Sequence, residues 1–288
     1  MKRTIVITGG TSGIGMYTAI GVAREGAKIV VTGHDPQRGA KGVETIQRES
    51  GNNDISLALG DLSSLAQIRR LATDLRLAHP KIDVLVNNDG MLAASRELTA
   101  DGIELDFAVN VIAPYLLTHE LLPSLEAARP SRVINVTGGL STPLDPENLE
   151  GERDFRGIVT YSRAKRALEA MSIRLAEELK PHGVFVNVVY PGGASTNMTR
   201  VVTPEYLPWP MKLAWPMIRR VLADDGGKGA AKASRSSVFA ATSPDLANVS
   251  GQYYDTSSKR AQFHKSVLVP DNQRRVMQTI ERYVASIQ

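Results

Sequence analysis

Short runs of consecutive apolar residues alternate with longer amphipathic stretches along the first two thirds of the chain. The apolar runs at Thr4–Thr8, Lys28–Thr32, Ile55–Leu59, Val84–Asn87, Arg132–Thr137 and Val184–Tyr190 predict strands buried on both faces. Helical periodicity predicts helices over Gly13–Glu25, Gln37–Ser50, Leu65–His79, Ile103–Ala127 and Val159–Lys180. Unbroken Val/Ile runs joined by helix-length crossovers belong to a parallel sheet covered on both sides. Right-handed crossovers then give an α/β fold, a doubly wound, Rossmann-like parallel sheet. Its ligand crevice lies beyond the carboxyl ends of the strands. No repeat or linker divides the pattern, so residues 1–288 read as a single domain.

Two stretches break the rhythm. Gly138–Gly157 is rich in Gly, Pro and acid, and Val201–Gly229 holds both tryptophans and the prolines Pro204, Pro208, Pro210 and Pro216. After them the pattern predicts a helix near Lys228–Thr242, a short strand at Gly251–Asp255 and a terminal helix near Asp271–Ile287.

Composition narrows the class without choosing a function. An apolar fraction of 42% and a charged fraction of 22% suit a folded core and exclude disorder or a coiled coil. The 34 Lys and Arg are scattered against 30 Asp and Glu, so no basic stripe for nucleic acid forms. With no cysteine, disulfides, thiolate metal sites and a cysteine nucleophile are excluded. The five histidines lack metal-ligand spacing, and Ser12, Ser162 and Ser195 lack the Gly-x-Ser-x-Gly elbow of a hydrolase. The first apolar run is too short for a signal peptide or membrane span, so a cytoplasmic protein is expected.

Thr8-Gly9-Gly10-Thr11-Ser12-Gly13-Ile14-Gly15 closes the first strand and opens a helix. Gly9 permits a tight turn, Gly13 lets backbone approach a pyrophosphate, and Gly15 lets the helix pack on the sheet. Backbone N–H groups and the positive helix end then face an anion, with Thr11, Ser12 and Ile14 in the same turn. Far along the chain, Tyr161 and Lys165 stand four apart on one helix face. A free phenol titrates near ~10. A neighbouring ammonium is expected to lower that value and make the phenol a usable acid or base for an alcohol–carbonyl interconversion.

These motifs together resemble the short-chain dehydrogenase/reductase family. The resemblance rests on Gly-x3-Gly-x-Gly at residues 9–15, Asp61-Leu62, Asn87-Asn88-Asp89-Gly90, Asn110, Tyr161-x3-Lys165 and Pro191-Gly192. Ala241-Thr242-Ser243-Pro244 and Gly251-Gln252-Tyr253-Tyr254 resemble its retinol-dehydrogenase-like subgroup. The resemblance implies an NAD(P)-dependent oxidoreductase with Tyr161 as acid/base. It implies that Lys165 also holds the nicotinamide ribose and that Asn110 helps hold a water relay. Asp61 and Leu62 would lie beside adenine, Asn88 and Gly90 would line the crevice, and Pro191, Gly192 and Thr196 would face the nicotinamide carboxamide. Relatives commonly form homodimers or homotetramers. An acid closing the second strand suits NAD(H), and a basic residue suits NADP(H). Here that strand ends in His34-Asp35, with Arg38 on the next helix, and Asp35-Pro36 also reads as a helix cap. The balance favours NADP(H) over NAD(H).

Two positions depart from the family pattern. Asp89 replaces the usual alanine, and Gly138 falls where a serine hydroxyl orients the substrate oxygen. Losing one such donor typically costs about 10²–10³ in rate. Thr137 or Ser141 can supply a substitute hydroxyl, or the N–H groups of Gly138 and Gly139 can donate instead. The alternative is a dinucleotide-binding sensor or scaffold with little or no redox turnover. The region 193–229 gathers Tyr206, Leu207, Trp209, Met211, Leu213, Trp215, Met217 and Ile218 and reads as a lid over an apolar small-molecule substrate. Set second is a surface patch for a membrane or a partner, because Lys212, Arg219 and Arg220 flank the tryptophans.

Overall fold

The computed structural model describes residues 2–200, 202–207, 209–223 and 225–285. Its first six strands lie within one residue of where the apolar runs place them: β1 (Thr4–Ile7), β2 (Lys28–Gly33), β3 (Ile55–Leu59), β4 (Val84–Asn87), β5 (Ser131–Val136) and β6 (Val184–Val189). With β7 (Tyr253–Tyr254) they form a parallel sheet in the order β3-β2-β1-β4-β5-β6-β7, and β8 (Arg260–Ala261) adds antiparallel at the edge. The strand order reverses between β1 and β4, and ligands of doubly wound sheets bind at that switch point.

The strands read as continuous apolar runs because both of their faces are buried. Ile5, Ile7, Ile29, Val31, Val84 and Val86 form one core with α1 (Gly13–Ala23) and α11 (Lys228–Thr242). Val6, Val30, Leu85, Val133 and Val186 form the opposite core with α3 (Leu65–Ala78), α5 (Ala113–Glu120), α7 (Gly157–Leu179) and α12 (Pro270–Ala285). Each fully buried Ile, Leu or Val is worth roughly 1.5–3 kcal/mol over an exposed one. The remaining crossover, α2 (Pro36–Ser50), packs beside α1.

The long helix expected over Ile103–Ala127 is broken. It divides into α4 (Leu105–Phe107), a π turn at Ala108–Ile112, α5 and α6 (Leu122–Ala127). Pro114 stands four residues after Asn110 and has no N–H to give the Asn110 carbonyl, as an α-helix requires. The Ala113 N–H instead reaches back five residues to the Ala108 carbonyl. Single π turns of this kind recur at functional sites. The segment read as a lid is also more helical than its prolines suggest, with α8 (Asn197–Arg200), α9 (Trp209–Lys212) and α10 (Trp215–Leu222). Val201 and Pro208 of that segment, and Ser286 and Ile287 of the expected terminal helix, lie outside the described residues.

Candidate active site

The ends of β1 and β4 meet at the switch point. Asn88 at the end of β4 donates from Nδ2 to the Thr8 carbonyl (2.9 Å), and its N–H donates to Thr8 Oγ1 (3.0 Å). A Cβ on Gly15 would stand 2.5 Å from the Gly9 carbonyl and 2.4 Å from Asn88 Nδ2, so no side chain fits there. The Asn88 side chain is therefore spent on bracing the turn, where lining the crevice was expected of it. Gly13 adopts φ +55°, a left-handed conformation that favours glycine, and a Cβ there would approach Thr196 Cγ2 at 3.4 Å. The glycine turn and the loop after β6 thus share one edge of the crevice. The Ser12 carbonyl accepts the first helical bond, from Met16, so the N–H groups of Gly13, Ile14 and Gly15 point out of the end of α1. No acid occupies that first turn. Free N–H donors, a positive helix end and a glycine-only approach fit a dinucleotide pyrophosphate.

At the end of β2 the two readings of Asp35 separate. Its Oδ1 accepts from the N–H groups of Gln37 and Arg38, capping α2, and its Oδ2 accepts from Arg38 Nε at 2.7 Å. These bonds with Arg38 hold its carboxyl below the usual carboxylate range. Arg38 Nη2 also donates to His34 Nε2 at 3.2 Å, which leaves His34 Nδ1–H as the outward donor. Asp61 Oδ1 accepts from the N–H and hydroxyl of Ser63, whereas α3 is capped by Ser64. The Leu62 side chain enters the core, so only its backbone is left to face a ligand. Thr11 packs against Gly33 and Gly42, joining the turn to β2 and α2.

Tyr161 and Lys165 come together on α7 at the end of β5. Both are buried, and Lys165 Nζ lies 5.7 Å from the Tyr161 ring centroid. Lys165 Nζ donates to the Val136 carbonyl at 3.1 Å, and it lies beside Gly90 and Asn110. A Cβ on Gly138 would stand 2.8 Å from Tyr161 Oη, so the glycine faces the phenol and leaves no room for the serine of the family pattern. The expected lowering of the phenol by Lys165 is not found. Burial pushes the Tyr161 hydroxyl above its ordinary value, with Asp106 and Tyr190 pushing the same way. Burial likewise brings Lys165 down to about 8, against the pull of Asp89, Asp106 and Glu169. Desolvation outweighs the ammonium here.

The two candidate hydroxyls are placed differently. Thr137 Oγ1 donates to Glu169 at 2.7 Å, and Glu169 also receives Arg166. Glu169 lies eight residues after Tyr161, about 12 Å along a helix axis at 1.5 Å per residue. Ser141 is exposed on the loop beyond. The N–H groups of Gly138 and Gly139 remain: neither donates to any atom among the described residues.

Asn110 braces rather than reaches. Its Nδ2 donates to the carbonyls of Met91 and Asp106, both at 2.8 Å, and its Oδ1 accepts from the Met91 N–H at 3.3 Å. These bonds occupy both hydrogens of the side-chain amide. Asp106, one turn earlier, went unremarked in the sequence. Its Oδ1 accepts from the Ala93 N–H at 2.8 Å, its Oδ2 is buried without a hydrogen-bond partner, and burial raises its pKa to about 8. On the substrate side, Leu92, Tyr161 and Val202 form an apolar cluster, with Met198, Tyr206 and Trp215 packed against it.

An anion-binding turn at the switch point, with a tyrosine–lysine pair at the next strand end, defines a nicotinamide-dinucleotide oxidoreductase. Residues 3–207 match the family described as short chain dehydrogenase. Human retinol dehydrogenase 13 is 29% identical over 262 residues, covering 90% of this chain and 78% of that protein. Human dehydrogenase/reductase SDR family member 13 is 33% identical over 264 residues, covering 88% of this chain, which spans 65% of that relative's length. Among solved structures, the Pseudomonas aeruginosa RhlG/NADP active-site complex is similar at 29% identity with a TM-score of 0.63, over 88% of this chain and 94% of that one. The chain belongs to the short-chain dehydrogenase/reductase family, with its retinol-dehydrogenase-like members, and is an NAD(P)-dependent oxidoreductase.

Proposed function

We propose that this oxidoreductase interconverts an alcohol and a carbonyl on an apolar small molecule and uses NADP(H) in preference to NAD(H). One observation carries the reading: the Tyr161 hydroxyl, directed at Gly138, with Lys165 one turn along and held at the Val136 carbonyl. When bound, nicotinamide would supply or accept the hydride. Tyr161, kept protonated by burial, gives its proton to the oxygen of the reduced carbonyl; in the oxidative direction the phenolate, formed once that proton is lost, takes one from the alcohol. The N–H groups of Gly138 and Gly139 donate to that oxygen in place of a serine. Lys165, held at the Val136 carbonyl, would hold ribose.

The cofactor preference rests on His34 and Arg38. The Asp35 carboxylate, which would repel a 2′-phosphate, is tied to Arg38 and the α2 terminus, whereas His34 Nδ1–H and the exposed Arg38 are cationic or donating. Leu92, Val202 and the inner lid residues favour an apolar substrate, as does the likeness to a protein named a retinol dehydrogenase. NADPH consumption across a panel of apolar aldehydes and ketones tests the function. Tyr161→Phe is expected to lower kcat by about 10²–10⁴ while leaving NADPH affinity, read by nucleotide fluorescence, within about twofold. Turnover that survives this change would sink the assigned proton donor. Arg38→Ala is expected to weaken NADPH binding about tenfold and NADH binding little.

A further inference from the structure

The segment after β6 has two differently built faces. Its inner face belongs to the site: Val202 and Leu207 are buried, and Tyr206 and Trp215 pack on the cluster around Tyr161. Its outer face carries Trp209, Leu213 and Met217, which are 72%, 72% and 68% exposed. They stand four residues apart in sequence, Trp209 on α9, Leu213 in the turn between the two helices and Met217 on α10. Elsewhere the large exposed apolar residues stand singly or as the neighbours Leu268 and Val269. Lys212, Arg219 and Arg220 lie among these residues in sequence, all exposed. Of the described acids nearby, Glu205 lies on the preceding turn, and Asp225 is engaged by the N–H groups of Gly227 and Gly229.

We propose that the outer face of α9–α10 docks on an anionic lipid surface, with Trp209, Leu213 and Met217 set among the headgroups and Lys212, Arg219 and Arg220 pairing with phosphates. Apolar side chains on one face with cations at their edges are the pattern of helices that lie in a bilayer interface, where tryptophan is favoured at headgroup depth. The cations select the occupant, since an anionic surface complements them and a zwitterionic one does not. No described helix is long and apolar enough to cross a membrane, so the contact is with the surface. Docking stands independently of the proposed substrate. Its use for entry of an apolar molecule beneath the inner face of the lid rests on that reading.

Both tryptophans of the chain lie in this segment, so intrinsic fluorescence reports on it directly. The full chain is mixed with vesicles of phosphatidylcholine alone or with about one third phosphatidylglycerol. Expected with the anionic vesicles are a blue shift of emission and co-sedimentation, both reversed by about 0.5 M salt. Trp209→Phe, which keeps Trp215, removes most of the shift. Replacing Lys212, Arg219 and Arg220 by Gln lowers vesicle affinity about a hundredfold, at about fivefold per cation. Replacing Trp209, Leu213 and Met217 by Ser lowers it at least about tenfold. NADPH binding, which these changes should leave intact, separates loss of docking from loss of fold. If the serine variant does not fold, the salt series and the charge variant still decide. No shift with anionic vesicles at low salt would overturn the proposal. So would a dimer without lipid that the serine substitutions dissociate, because the stripe would then be covered by a second copy.

Discussion

The two ends of the crevice are built on different terms. At the ends of β1 and β4 it is backbone that is held and offered: the Asn88 side chain ties the Thr8 carbonyl, Gly15 lies on the Gly9 carbonyl, and the N–H groups at the end of α1 are left for a ligand. At the end of β5, side chains are placed by burial: Tyr161 against Gly138, Lys165 on the Val136 carbonyl, and Asp106 with one oxygen unpaired. A backbone-built end is fixed by its glycines and tolerates little but is chemically passive. The buried end can be retuned by one side chain, because desolvation sets the protonation of everything in it.

The sharpest way to break this contrast is to put the serine back. A Cβ at Gly138 meets Tyr161 Oη at 2.8 Å, closer than real Cβ contacts occur, so Gly138→Ser must displace the phenol. We expect kcat to fall about tenfold or more, with stability lowered by about 1–3 kcal/mol from overpacking. Steady-state kinetics beside a thermal melt separate the two effects. A gain in kcat would show that the phenol yields readily and that a hydroxyl is the better donor. The buried end would then be as adaptable as an ordinary surface.

Asp106 tests the same end through stability. Its carboxyl titrates at about 8 against a reference of 3.8, because burial disfavours its charge and Glu104 repels it. A raised pKa gives stability that is present below about 4 and is lost as pH rises through about 8. Asp106→Asn keeps an acceptor for the Ala93 N–H and cannot ionise. The two proteins should differ least near pH 4, and the variant should gain by roughly 2 kcal/mol or more by pH 9, several degrees in Tm. Melting curves that stay parallel across that range would show the carboxyl to be solvated, and the contrast between the two ends would lose one of its supports.

The sequence displays the passive end far better than the tunable one. Gly9, Gly13 and Gly15 are legible because only glycine meets those backbone demands, and the spacing of Tyr161 and Lys165 because one helix face is a simple period. The titration of that pair is not legible, since it depends on burial among residues distant in sequence, such as Asp106 and Tyr190. Thr137 looked like a serine substitute from its neighbour Gly138, but α7 brings Glu169 to its hydroxyl. The break in the helix around Asn110 did have a signal: a proline four residues after an asparagine removes the donor its carbonyl needs. The lid helices were hidden because Pro204, Pro210 and Pro216 interrupt any apolar period.

Asp89 is where the passive end acquires a titratable group, and its effect should be the smallest. Its Oδ1 accepts from its own neighbour, the Gly90 N–H, and lies 2.8 Å from where a Cβ on Gly9 would stand. Burial raises its pKa, Asp61 adds to the rise, and Lys165 and His34 oppose it. The carboxyl therefore charges at a higher pH than an ordinary aspartate, beside the turn that would carry two phosphates. Affinity for NADPH should weaken as pH rises, part of that through Lys165 losing its charge near 8. Asp89→Ala also removes the pull of Asp89 on Lys165, so the two proteins are compared above the pH at which Lys165 loses its charge. The alanine variant should bind about fivefold more tightly at pH 9, the scale of a partly screened like-charge contact. At low pH the two should converge, as Asp89 takes up its proton. Equal affinities at both pH values would place the carboxylate out of reach of the phosphates. A tighter variant at every pH would mean that bulk beside Gly9, rather than charge, is what the cofactor meets.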